Sequence, residues 1–288
     1  MKHLKQSVLL ALSVLTLAAC SKDDSNAVSN TVTLQFNNTY KDQTIVLGDA
    51  QSTAATVLTS QAGQTHRFSE IKYVVSNIRL VREDGTETPY NINNLDNGAT
   101  VIDHSKPESL RYALRDIPSN RYQKIKFGLG VKSELNTIDQ VRFPNFYAAA
   151  GANDTEMMWE WGAGYRFTKL EGFYGADNKE MSIHTGSTVQ GPEGNYTQGV
   201  DAYRDITLTF PTTLNVASGS PTIFIRADFD KLLSGNANTI TLSTGTGGTD
   251  NATPNIHTAL EMVRFVDNLG GNGEADNSGM FSIQSIVE

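Results

Sequence analysis

The chain is dominated by a two-residue repeat of apolar and polar side chains. Val32, Leu34 and Phe36 alternate with Thr33, Gln35 and Asn37. Ile125, Phe127, Leu129 and Val131 alternate with Lys124, Lys126, Gly128 and Gly130. Ile206, Leu208 and Phe210 do the same with Asp205, Thr207 and Thr209, and Ile223, Ile225, Ala227 and Phe229 form a further set. A strand turns successive side chains to opposite faces, so each set predicts a strand with one face on a core. Short strands are expected at residues 44–47 and 100–103, a longer one over 68–81, and one more at Ile240 and Leu242. The long strand runs into Glu83-Asp84-Gly85-Thr86, where Asp-Gly suits the positive φ of a hairpin turn. Many short strands and few helices predict a mainly β chain: a single antiparallel β-sandwich with long loops. One short helix is expected near the C-terminus, with Thr253 as N-cap, Pro254 in the first turn and Gly270 closing it. Leu260, Val263, Val266 and Leu269 would share its apolar face. Residues 136–140 fit neither pattern. No repeat or linker divides residues 31–288, which read as one domain.

The first residues read differently. Lys2 and Lys5 precede an apolar run over residues 8–19, which is short for a membrane span and suits a signal peptide. The run ends in Leu17-Ala18-Ala19-Cys20. That resembles the bacterial lipobox, in which the cysteine is acylated and becomes the first mature residue. Residues 1–19 are therefore expected to be a lipoprotein signal peptide, Cys20 the lipidation site, and residues 20–30 a lipidated flexible tether. Ser21-Lys22-Asp23-Asp24-Ser25 is similar to the acidic export signal of Bacteroidetes surface lipoproteins. The expected location is the outer membrane, facing either the cell surface or the periplasm. Loss of the leader would remove two lysines and no acid, deepening the formal charge from −8 to −10. Attachment would then be through lipid and not through a basic patch, and nucleic acid is excluded as a partner.

Cys20 is the only cysteine, so disulfides and sulfur-rich metal sites are excluded. The sequence contains no Gly-x-Ser-x-Gly and no His-Glu-x-x-His, and its acids are scattered. No enzyme is expected. Gly245-Thr246-Gly247-Gly248 and Gly270-Gly271-Asn272-Gly273 lack the strand-to-helix setting of a phosphate loop. The histidines left in the mature chain are His66, His104, His184 and His257, none in close-spaced pairs. Any metal site must be assembled from distant strands. Met157 and Met158 stand beside Trp159 and Trp161, which are two apart and would share a strand face. Taken alone, that cluster reads as core filling. Imidazole and thioether are, however, donors that suit copper.

Several segments resemble the MbnP-like copper-binding family, in the family's order. Met158-Trp159-Glu160-Trp161 followed by Gly164-Tyr165-Arg166-Phe167 and Leu170-Glu171-Gly172 is one of them. Ile71 to Leu80, Ile117-Pro118 with Tyr122 to Val131, and Ser182-Ile183-His184-Thr185-Gly186 are the others. Asn120 or Arg121 stands where the family has a turn glycine, and Thr185 replaces an apolar residue. The resemblance implies a copper-binding β-sandwich that acquires, stores or hands over copper. It implies ligation by two histidines and a tryptophan oxidised to kynurenine, with a di-haem peroxidase-like partner to oxidise it. Carried over, His184 is a ligand, Trp159 or Trp161 is the modifiable residue, and His66 or then His257 is the second histidine. His104, in a loop before Pro107, reads as solvated. The alternative is a non-metal recognition or adhesion module, using loops over residues 148–156, 187–203 and 245–253.

Overall fold

The computed structural model describes residues 30–151, 156–159, 164–190, 197–217, 219–244, 252–256, 259–271 and 279–288. The alternating segments become strands, as the pattern requires. Val32–Tyr40, Asn120–Leu129, Arg204–Val216 and Thr222–Asp228 are all extended. The long strand runs Thr65–Arg82, a little beyond the expected limits. Gly85 takes φ +84 and Asp84 accepts the Thr86 amide at 2.8 Å, so the hairpin forms and Glu87–Tyr90 pairs back on the long strand.

The described strands form two main sheets and a small ribbon of two strands. The smaller main sheet has five strands, with Thr222–Asp228 between Phe281–Val287 and Val32–Tyr40, while Gln43–Thr44 and Arg111–Leu114 also pair with Val32–Tyr40. The larger has nine and is centred on Thr65–Arg82, which lies between Asn120–Leu129 and Arg166–Tyr174. Beyond Arg166–Tyr174 come Lys179–Gly186 and the short strand Asn255–Ile256.

The sandwich is mixed and not purely antiparallel, which corrects the sequence expectation. Val32–Tyr40 runs parallel to Thr222–Asp228, and Ser182–Ile183 runs parallel to Asn255–Ile256. Alternation reports which side chains face a core but carries no information on partner direction. Parallel partners need a long crossover, and here each pair is far apart in sequence.

Aromatic rings close the space between the sheets. Phe36 meets Tyr73 at 6.1 Å and Phe127 at 6.2 Å, and Phe281 meets Phe127 at 5.1 Å, all nearly edge to face. A second apolar cluster covers the other side of the nine-stranded sheet. Val74 and Phe167 there pack with Leu135, Phe143, Phe146, Met157, Met158 and Tyr165. The long strand feeds both, through Val75 inward and Val74 outward.

The C-terminal helix spans Ala259–Gly270, later than expected. Residues 253–256 are drawn into the sheet instead, with the Pro254 carbonyl accepting the Ser182 amide at 2.8 Å. Gly271 at φ +66 ends the helix in the left-handed region. The buried face carries Met262, Phe265, Val266 and Leu269, so Val263 lies off it at an intermediate position. Gly245-Thr246-Gly247-Gly248 and, of the Gly270 to Gly273 run, Asn272 and Gly273 lie outside the described residues.

Candidate metal centre

Registry fixes what faces what on the nine-stranded sheet. His184 is opposite Lys169, and Lys169 is opposite Lys72. One row along, Ser182 is opposite Glu171 and Glu171 opposite Glu70. Val74 and Phe167 share this face, so it is the outer one, away from the aromatic interior. A sheet face bearing two lysines, two glutamates and a histidine under cover must pair its charges. Lys72 and Lys169 each bind Glu70 at 2.8 Å, Lys72 also contacts Glu156, and Asp103 binds Lys106 at 3.2 Å. Burial pushes Glu70 up, but Lys169 and Lys72 outweigh it and hold the carboxyl below its usual range. Burial pulls Lys72 down, and Glu156 with Glu70 reverses that.

The segment with Met157, Met158 and Trp159 is laid over this lattice. The Glu156 side chain contacts Lys72, and its carbonyl accepts from Arg166 at 2.6 Å. Arg166 donates its amide to the Met157 carbonyl, and its guanidinium sits 5.1 Å from the Trp159 ring. Trp159 donates its amide to the carbonyl of Gly164, which holds φ +127. The indole is buried, 6.1 Å from the His184 ring, at a tilt of 60°. It lies so close over Gly186 that a Cβ there would stand 2.6 Å from Nε1. Only glycine lets the strand and the indole approach this far.

His184 is buried, and its Nε2 contacts Glu171 Oε1 directly. Ser182 Oγ lies 3.1 Å from the same carboxylate oxygen and 3.3 Å from Nε2. His184 and Trp159 are thus brought together, as the resemblance implies. Trp161 and His257 lie outside the described residues. Ile256, the residue before His257, pairs with Ile183, the residue before His184.

His66 is not brought to this site. It is opposite Tyr174, five residues from Lys169 on the same strand, and so projects to the inner face. Its ring packs edge-on to Phe68 at 5.6 Å. Burial lowers its pKa to about 4, against a smaller opposing pull from the Gln64 backbone. His104 is not solvated either. Its Nε2 bonds the Ile45 carbonyl at 2.8 Å and its Nδ1 bonds Asn38 Nδ2 at 3.1 Å, while Asn38 Oδ1 accepts Tyr73 Oη at 2.8 Å. That imidazole ties the two sheets together. Sequence reasoning missed Glu171 and Ser182 as neighbours of His184. The available signal was the two-residue spacing of Ser182 and His184, which places them on one strand face.

Among the described residues, no group of three or more His, Cys, Asp or Glu side chains is placed to hold a metal ion. The imidazole, the adjacent indole and the carboxylate behind the imidazole fit one corner of a copper site. The remaining donor must come from elsewhere.

Comparison with known proteins follows the same lines as the geometry. The family model for MbnP matches residues 29–258. The chain belongs to the MbnP family. Among solved structures, MbnP from Methylosinus trichosporium matches over 88% of this chain and 98% of its own, at TM-score 0.54 and 15% identity. That shows a shared MbnP fold. No curated protein matches. The match to the MbnP model includes both the Trp159 segment and the His184 strand.

Proposed function

We propose that this protein binds copper at a site built on His184 and Trp159, and serves to acquire, store or hand over the metal. The observation that carries the reading is the buried approach of the Trp159 indole to the His184 imidazole, in a chain of the MbnP family. His184 would be one ligand, and Trp159 the residue open to oxidation to kynurenine, with Trp161 as the alternative. His257 takes the place of His66 as the second histidine, because it follows Ile256 in sequence and His66 projects from the opposite face. Bound copper would supply a redox-active, soft Lewis-acidic centre. The chain's own part is to bury the imidazole, hold it by Glu171 and cover it with the indole. No catalytic role is assigned to the chain itself. A di-haem peroxidase-like partner would carry out the tryptophan oxidation.

Cys20 would anchor the mature protein in the outer membrane by lipid, facing the surface or the periplasm, with the segment after it as a tether that ends at Asn30, which is buried and donates to the Ile117 carbonyl at 3.2 Å. Cys20 lies outside the described residues, among which no helix is long and apolar enough to cross a membrane.

Equilibrium dialysis against copper, followed by intact-mass measurement, tests the reading. His184→Ala is expected to weaken copper binding by more than about tenfold. His257→Ala should do the same, and His66→Phe should leave uptake unchanged. Copper binding equal in wild type and His184→Ala removes this site from consideration.

A further inference from the structure

His184 has two ring nitrogens, and its surroundings decide between them. Ser182 Oγ has a single proton, and it donates to Glu171 Oε1 at 3.1 Å. The same carboxylate oxygen contacts His184 Nε2. A carboxylate only accepts, so Nε2 must be the donor in this pair. Ser182 Oγ, 3.3 Å from Nε2, is then left to offer a lone pair to the same N–H. A neutral imidazole protonated at Nε2 keeps its in-plane lone pair on Nδ1, and a metal binds that lone pair. All three side chains stand on adjacent strands of one sheet, with Glu171 opposite Ser182, so the arrangement is as rigid as the sheet.

We propose that Glu171 is a positioning residue that locks His184 in the Nε2–H tautomer, so that the imidazole takes a metal through Nδ1. The proton on Nε2 stands on the hydrogen-bond geometry alone; the coordination atom rests on the reading of His184 as a copper ligand, which takes the metal as the neutral imidazole. Glu171 touches no metal in this account. It acts only through the imidazole, and through the charge it sets behind the ligand.

The test is long-range proton–nitrogen correlation NMR on the full mature chain labelled with 15N-histidine, first without metal and then with copper(I), which is diamagnetic. Wild type is expected to show His184 protonated at Nε2. Glu171→Gln should retain that tautomer, because the amide oxygen accepts the same bond. Glu171→Leu should convert His184 to a mixture. Copper(I) should then move the Nδ1 resonance. An Nδ1–H tautomer in the wild-type protein, or an unchanged tautomer in Glu171→Leu, overturns the lock. The wild-type spectrum decides this even where the leucine variant fails to fold. Copper that moves Nε2 overturns the assigned atom and leaves the copper reading standing. Copper that moves neither nitrogen overturns both His184 as a ligand and the assigned atom, while the metal-free tautomer still decides the role of Glu171.

Discussion

The inner and outer faces of the nine-stranded sheet are made from alternate residues of the same strands, yet they handle polarity in opposite ways. Inside, Tyr73, Phe127 and their neighbours pack ring against ring, and the titratable His66 is kept neutral by burial. Outside, Lys72 and Glu70 stay charged, because Glu70 lies within hydrogen-bond reach of both Lys72 and Lys169. The inner face gains stability from apolar burial, which is non-directional. The outer face gains little net stability from its ion pairs but fixes geometry, which is what a ligand site requires. His184 on the outer face is held by a carboxylate, and His66 on the inner face by hydrocarbon.

The comparison can be broken by substitution. Tyr73→Ala should cost the most, about 4 kcal/mol, because it opens a cavity among Phe36, Phe229 and Phe281 and frees Asn38 Oδ1. Chemical denaturation measures it, and a cost below that of an outer-face variant would reverse the assignment of the two faces.

Acid provides the next largest effect. The folded pKa of His66 is about 4, below the value near 6.5 expected for the unfolded chain. Between those limits the unfolded state binds the proton and the folded state does not. Stability is therefore full above pH 6.5 and falls as pH drops toward 4, by roughly 3 kcal/mol in all. His66→Phe should flatten that part of the profile; an unchanged slope would mean that the inner face already accommodates the charge.

Lys72→Met should cost less, about 2 kcal/mol, since it leaves Glu70 and Glu156 without that partner while Glu70 keeps Lys169. Its effect should shrink in high salt, where Tyr73→Ala should not. The readouts are the denaturation midpoint with and without salt, and Trp159 fluorescence, because Glu156 joins the indole segment to the sheet. A salt-independent loss would show that Lys72 acts by packing its stem.

Much of this was legible without a structure. The strands around Phe36, Phe127, Leu208 and Ile225 announce themselves by period, and Asp84-Gly85 announces its turn. The association of His184 with the Trp159 segment was implied by family motifs alone. The helix starts later than its local signals say: Thr253 and Pro254 carry helix-start signals, yet the chain there satisfies its backbone on the neighbouring strand. Pairing between remote segments leaves no local trace in either one.

The sequence by itself determined the β-sandwich and the family, and through the family motifs it pointed to one imidazole, His184, beside either of two indoles. Tertiary structure decided which histidines can join them, and the reason is a single residue. His66 and Lys72 are six apart, so plain alternation would put both on the outer face, with His184. The register of the long strand shifts between Phe68 and Glu70, where Ser69 is the extra residue of a bulge. That insertion turns His66 inward and leaves Lys72 facing out. A β-strand's side chains have a period of two, so one added residue exchanges the faces, and only the pairing with Arg166–Tyr174 reveals where it was added.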